Sequence, residues 1–145
     1  MTGKTGMADI TEPIYYIDRS DIREGKLAEV REGMLDLADF IEAREPQLIA
    51  YRFYIDESGT TMTTVAVHPD PASLELHMEL GGPKFRAFRE LIRMNSIDVY
   101  GRPSPDAAEQ LRRKAEMLGG GTVTFHTLQA GFSRFTDRPR PSSRP

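Results

Sequence analysis

The stretch Thr63–Phe88, TTVAVHPDPASLELHMELGGPKFRAF, sets the tightest limit on how this chain can fold. Its β-branched opening, Thr63 to Val67, suits a pleated strand better than a helix. Pro69 and Pro71 cannot donate to a ladder, so the strand ends at His68. Ser73 to Leu80 spans two helical turns. Gly81-Gly82-Pro83 then predicts a break, after which Phe85 and Phe88 resume at i, i+3. The result is a strand-to-helix corner flanked by two histidines, His68 and His77. A corner of this kind sets polar groups at the rim of an apolar cavity, where small-molecule sites tend to lie. The structural alternative is a helix folded over a sheet with both histidines solvated.

Around this corner the chain spaces its elements regularly. Pro13 to Asp18 alternates as a first strand, and Ser20-Asp21 offers side-chain oxygens to cap a helix. Leu27, Val30, Met34, Leu37 and Ile41 form one apolar stripe at spacings of three and four, in a helix that stops before Pro46. Gln47 to Ile55 and Thr61 to His68 read as a hairpin across the turn Asp56-Glu57-Ser58-Gly59. The broken helix is expected to reach about Met94, followed by a short extended piece, Asn95 to Tyr100. Ser104-Pro105-Asp106 is a strong helix start and Gly119-Gly120-Gly121 its stop. Thr122 to Leu128 alternates as a last strand, with Gly131 to Phe135 as a possible edge extension. The order predicts an α+β chain: a ferredoxin-like antiparallel sheet with helices on one face.

At 145 residues the chain is the size of one domain. We expect a flexible N-terminus over 1–11, a single α+β domain over 12–135 and a disordered Pro- and Arg-rich tail over 136–145. With no cysteine, disulfides, thiolate nucleophiles and Cys-ligated zinc are excluded, and a cytoplasmic location is expected. No apolar run is long enough for a membrane span, and a net charge of -3 favours no nucleic-acid partner.

The first two strands are apolar on both faces, yet helices can cover only one side of the sheet. A second copy placed sheet against sheet would bury both open faces with one patch, so a homodimer is expected. The competing cover is the tail or Asn95–Tyr100.

The order of elements resembles that of the dimeric α+β barrel proteins, and most closely the antibiotic-biosynthesis-monooxygenase-like group. The resemblance spans roughly Glu12 to Phe135. It is carried by Gly25-Lys26, by Glu45-Pro46 leading into Ile49, Tyr51 and Phe53, by the step from His68 to His77 with Phe85 and Phe88 beyond, and by Val99-Tyr100-Gly101. It implies a dimeric α+β barrel, with His77 matching the family's helix histidine and facing a pocket between sheet and helices. Many relatives carry an aromatic residue, often Trp, at the end of the third strand. This sequence has His68 there and no Trp.

Two functions follow as expectations. In the first, the chain is a small-molecule enzyme that acts without a metal or other cofactor on an apolar or aromatic substrate. His77 is then the catalytic proton acceptor, and Tyr51 or His68 holds a substrate oxygen. Phe85 and Phe88 line the apolar space, and His68, at a strand end, is expected nearer solvent. In the alternative, the chain is a non-catalytic homodimeric binding protein for a small apolar ligand. His77 would then only tie its helix to a strand, and Tyr51 would be core. The spacing of His68, Asp70 and His77 fits no zinc pattern, no nucleophile elbow is present, and the late strands lack the paired stacking aromatics of an RNA-binding sheet.

Overall fold

The computed structural model describes residues 12–135; the expectations for 1–11 and 136–145 lie outside the described residues. Five strands form one sheet: β1 (Ile14–Ile22), β2 (Ala50–Ile55), β3 (Thr61–His68), β4 (Ile92–Tyr100) and β5 (Thr122–His126). The helices are α1 (Leu27–Arg44), α2 (Pro71–Phe85) and α3 (Pro105–Met117), and a single 3-10 turn, Arg86–Phe88, extends α2. The spatial order is β2-β3-β1-β4-β5. Its first four strands pair antiparallel in the ferredoxin-like order, and β5 joins β4 in parallel after the α3 crossover.

The inward face of the sheet follows the two-residue period. Ile14, Tyr16, Asp18 and Ser20 on β1, and Met62, Thr64, Ala66 and His68 on β3, are all buried. On β4 the register shifts where Arg19 pairs with Ser96 and Ser20 with Met94, leaving Asn95 as the extra residue. That bulge lets Ile92 and Met94 face inward on one side of it and Ile97 and Val99 on the other. The α1 stripe meets them with Val30, Met34, Leu37 and Ile41, as expected from its spacing. On α3, Ala107, Leu111, Lys114 and Ala115 do the same.

Several expected boundaries move. β1 continues to Ile22, so Ser20-Asp21 lies in a strand and caps no helix. Gly81-Gly82-Pro83 does not break α2, which runs unbroken to Phe85. Pro83 removes only one hydrogen bond in the last turn, and Gly81 is needed for space: a Cβ there would lie 2.5 Å from Cζ of Phe85. The helical run stops at Phe88 rather than near Met94, and Ile92 to Tyr100 forms a full central strand. The fourth strand of the ferredoxin plan is therefore β4, and the Thr122 strand is an addition that ends at His126. Gly131 to Phe135 is no edge strand. It lies against the outer sheet face, with the Tyr15 hydroxyl 2.9 Å from Ser133 Oγ and the Tyr15 and Phe135 rings edge to face. In β2, Ala50 is the first paired residue; just before it Leu48 packs on the core and Ile49 is exposed.

No helix of the described residues is long and apolar enough to cross a membrane.

Candidate active site

The corner after β3 is built as the sequence suggests. Asp70 caps α2 by accepting from the Ser73 N–H at 2.9 Å, and Pro71 takes the first helical position. This cap turns Ser73 inward, where its hydroxyl lies 2.7 Å from His68 Nδ1 and accepts from Gln47 Nε2 at 3.0 Å. Since Ser73 accepts from Gln47, its own proton is free to go to Nδ1, which leaves the His68 proton on Nε2. That Nε2 is buried with no partner among the described residues. Burial, reinforced by the neighbouring His77 and Lys114, lowers the His68 pKa to about 3. His68 is wholly buried, so the expectation that this strand end lies near solvent is corrected: α2 folds back over it.

One turn further along α2, His77 faces Glu45. Its Nδ1 lies 3.0 and 3.1 Å from the two carboxylate oxygens, and both side chains are buried. Glu45 follows Ile41 by four residues, so it continues the inward stripe of α1 into the position that caps the helix end. Burial lowers the His77 pKa and outweighs the opposing hydrogen bond and charge of Glu45. A neutral His77 then donates its Nδ1 proton to Glu45 and keeps Nε2 as a lone-pair acceptor.

The two histidine rings lie 5.3 Å apart, and the His77 ring is 5.1 Å from Tyr51 and 5.3 Å from Phe85. Tyr51, Phe85 and Phe88 line an interior cavity between sheet and helices, with about 20 Å³ of water-accessible space. That is room for about one water. His68 and His77 stand behind this cavity and do not line it. Tyr51 is the residue that reaches both: burial, with Asp18 and Glu45 nearby, holds its phenol well above the usual tyrosine range.

The cavity's polar wall went unread in the sequence. Asp18, Thr64 and Lys114 line it. Lys114 donates to the Tyr16 hydroxyl at 2.8 Å, and Tyr16 donates to Asp18 Oδ2, which lies 3.7 Å from the Lys114 ammonium. Lys114 Nζ also sits 4.0 Å above the Phe85 ring. Burial lowers the Lys114 pKa, and Asp18 opposes that shift. The same burial, reinforced by Asp18, raises the Tyr16 phenol well above its ordinary value. Each of these charged residues occupies an inward phase of its element, which was the available signal.

Among the described residues, no group of three His, Cys, Asp or Glu side chains is placed to hold a metal ion. A wider groove of about 360 Å³ runs along the α1–β2 junction beside Glu45 and Tyr51. A larger hollow, about 660 Å³, is on the outer sheet face between Tyr15, Tyr100 and the segment through Phe132, away from the buried polar groups.

No protein-family model and no curated protein matches this sequence. Solved structures do. MupZ from Pseudomonas fluorescens superposes with a TM-score of 0.66 at 18% identity, covering 88% of this chain and 98% of MupZ. SnoaB, a cofactor-independent oxygenase from Streptomyces nogalater, gives 0.53 at 18% identity over 64% of this chain and 97% of its own. A candidate antibiotic biosynthesis monooxygenase from Caulobacter crescentus gives 0.58 at 15% identity over 68% of this chain and 97% of its own. At these identities the likeness establishes the fold.

Proposed function

We propose that this chain, whose fold is that of the antibiotic-biosynthesis-monooxygenase-like proteins of the dimeric α+β barrel superfamily, is an enzyme that takes an apolar or aromatic small molecule between its sheet and helices without a cofactor. One observation carries the reading: a buried His77, its pKa lowered by that burial, is held by Glu45 and packed on Tyr51, which faces the cavity. His77 stands behind the cavity with its ring against Phe85, so a substrate that displaces Phe85 meets its Nε2; a base in that state takes a proton from an acidic phenol or enol, and Glu45 stabilises the imidazolium that forms. A deprotonated, electron-rich substrate can react with O2 directly. One oxygen atom enters the substrate and the other leaves as water, with both reducing electrons drawn from the substrate. SnoaB, a structural neighbour, is described as a cofactor-independent oxygenase. The cavity holds about one water as it stands, so an aromatic substrate enters only with the Phe85–Phe88 end of α2 displaced outward.

The working unit in this reading is a homodimer. The outer face of the sheet carries Tyr15 opposite Val67 and Ile17 opposite Val65, half-buried, with Tyr54 exposed beside them. The segment through Phe135 covers only the Tyr15 end of this face. A second copy packed sheet to sheet would bury the rest.

The test is oxygen uptake with a panel of hydroxylated aromatics. Turnover that falls by about 10²-fold or more in His77→Gln supports the reading. Ligands that bind without oxygen uptake would replace the enzyme by the non-catalytic binding protein.

A further inference from the structure

We propose that Asp18 is the group that selects the ligand of the interior cavity, and that through its free Oδ1 it accepts a hydrogen bond from a neutral hydroxyl on an otherwise apolar molecule. The inference rests on the reading that this cavity is the substrate site.

Asp18 stands at the middle of the sheet, paired in register with Thr64 on β3 and Ile97 on β4. Its side chain is buried and lines the cavity. Its two oxygens are treated differently. Oδ2 accepts from Tyr16 and faces Lys114. Oδ1 is buried with no partner among the described residues. A purely structural ion pair satisfies both carboxylate oxygens, because an unpaired buried acceptor is costly. Here the outstanding acceptor belongs to a residue of the cavity wall. The cavity space fits about one water, the size of a hydroxyl group; Oδ1 itself is closed off as the structure stands, and the outward displacement of Phe85–Phe88 that admits a ligand is what opens the way to it. Ser20, two residues on along the same face of β1, has a buried Oγ that also lacks a partner among the described residues.

The surroundings fix which donor suits. Lys114 already balances the Asp18 charge from 3.7 Å, so an ammonium ligand would bring a second cation beside Lys114. A neutral O–H brings no such repulsion. The rest of the lining is apolar, with Met62, Phe85, Ile92 and Met94, and contacts the hydrocarbon part of the ligand. A site that needs a donor rejects analogues lacking it, because binding them leaves the acceptor both buried and unpaired.

Phenol, anisole and benzylamine separate these possibilities, with binding read from the methyl resonances of Met62 and Met94 in the full chain. Phenol should bind, and both anisole and benzylamine should bind at least about tenfold more weakly, the difference one hydrogen bond makes. Asp18→Asn keeps the volume and an oxygen to accept from Tyr16 but presents amide donors to the cavity, so it should level or reverse the preference of phenol over anisole. If that variant does not fold, the pair Asp18→Asn with Lys114→Met removes both charges together and serves instead. Equal binding of phenol and anisole by the wild-type chain would overturn the proposal. So would a phenol preference that survives in the variant, or no phenol binding at millimolar concentration. These readouts involve no turnover. Absent oxygen uptake with an intact phenol preference defeats the enzymatic reading alone, and the converse result defeats this one alone.

Discussion

Phe85 folds its ring back over Gly81, one turn earlier in α2, so closely that a Cβ at position 81 would lie 2.5 Å from Cζ. Phe88 does the same across the helix interface, where a Cβ on Gly33 of α1 would lie 3.1 Å from its Cζ. Two glycines inside helices thus shape the apolar wall of the cavity.

Gly81→Ala sets two effects against each other. Alanine favours a helix interior by about 1 kcal/mol. The clash forces a buried ring out of place, and overpacking of this kind costs about 1–3 kcal/mol. Because the Phe85 ring is also held by Lys114 and His77, we expect a net loss. Urea denaturation should show a lower midpoint for this variant; a higher midpoint would mean the ring relocates without cost.

Acid should weaken the fold before the carboxylates titrate. The pKa of His68 is about 3 in the folded chain and that of His77 is lowered too, whereas an unfolded histidine titrates near its ordinary value, 6.5. The unfolded chain therefore binds more protons, and the stability contributed is full above the unfolded value and lost as pH falls through it. For His68 the loss from pH 7.5 to pH 5 is about 2 kcal/mol. Urea midpoints across that interval should drop, and His68→Gln should flatten the slope. An unchanged midpoint would show that His68 titrates normally.

Removing His77 outright differs from replacing it. His77→Leu leaves the Glu45 carboxylate buried without its donor and should cost about 3–5 kcal/mol. His77→Gln keeps an N–H donor for Glu45, so most of that stability should remain while the proton acceptor is gone. Thermal melts of the two variants side by side distinguish a positioned base from a packing residue. Equal losses would count against the Glu45–His77 pair.

The open sheet face predicts an assembly. Light scattering at micromolar concentration should give about twice the chain mass. Ile17→Asp puts a charge in the centre of that face and should yield a folded monomer. A wild-type monomer, or a dimer indifferent to this change, would place the contact elsewhere.

The elements were legible in the sequence wherever a single period governed them. The α1 stripe, the β2–β3 hairpin and the Ser104 cap stand where local spacing and turn chemistry put them. The corner after β3 was legible too, but the meeting of its two histidines in the interior was not: His68 was expected nearer solvent, and α2 folds back over it.

What the sequence did not reveal is charged residues on inward phases. Asp18 continues the Ile14–Tyr16 alternation, Glu45 the Val30-to-Ile41 stripe, and Lys114 the Ala107–Leu111 stripe. Each reads locally as a solvated end or face, since burying an isolated charge is costly. Only the tertiary structure gives each charge its partner: Asp18 to Tyr16 and Lys114, Glu45 to His77. The same holds for Ile92–Tyr100, whose place at the centre of the sheet depends on pairing with β1 some eighty residues earlier rather than on its own residues. Local spacing determined which residues face inward; contacts between distant segments decided which inward-facing polar groups pair with one another and which, like Oδ1 of Asp18, have no partner among the described residues.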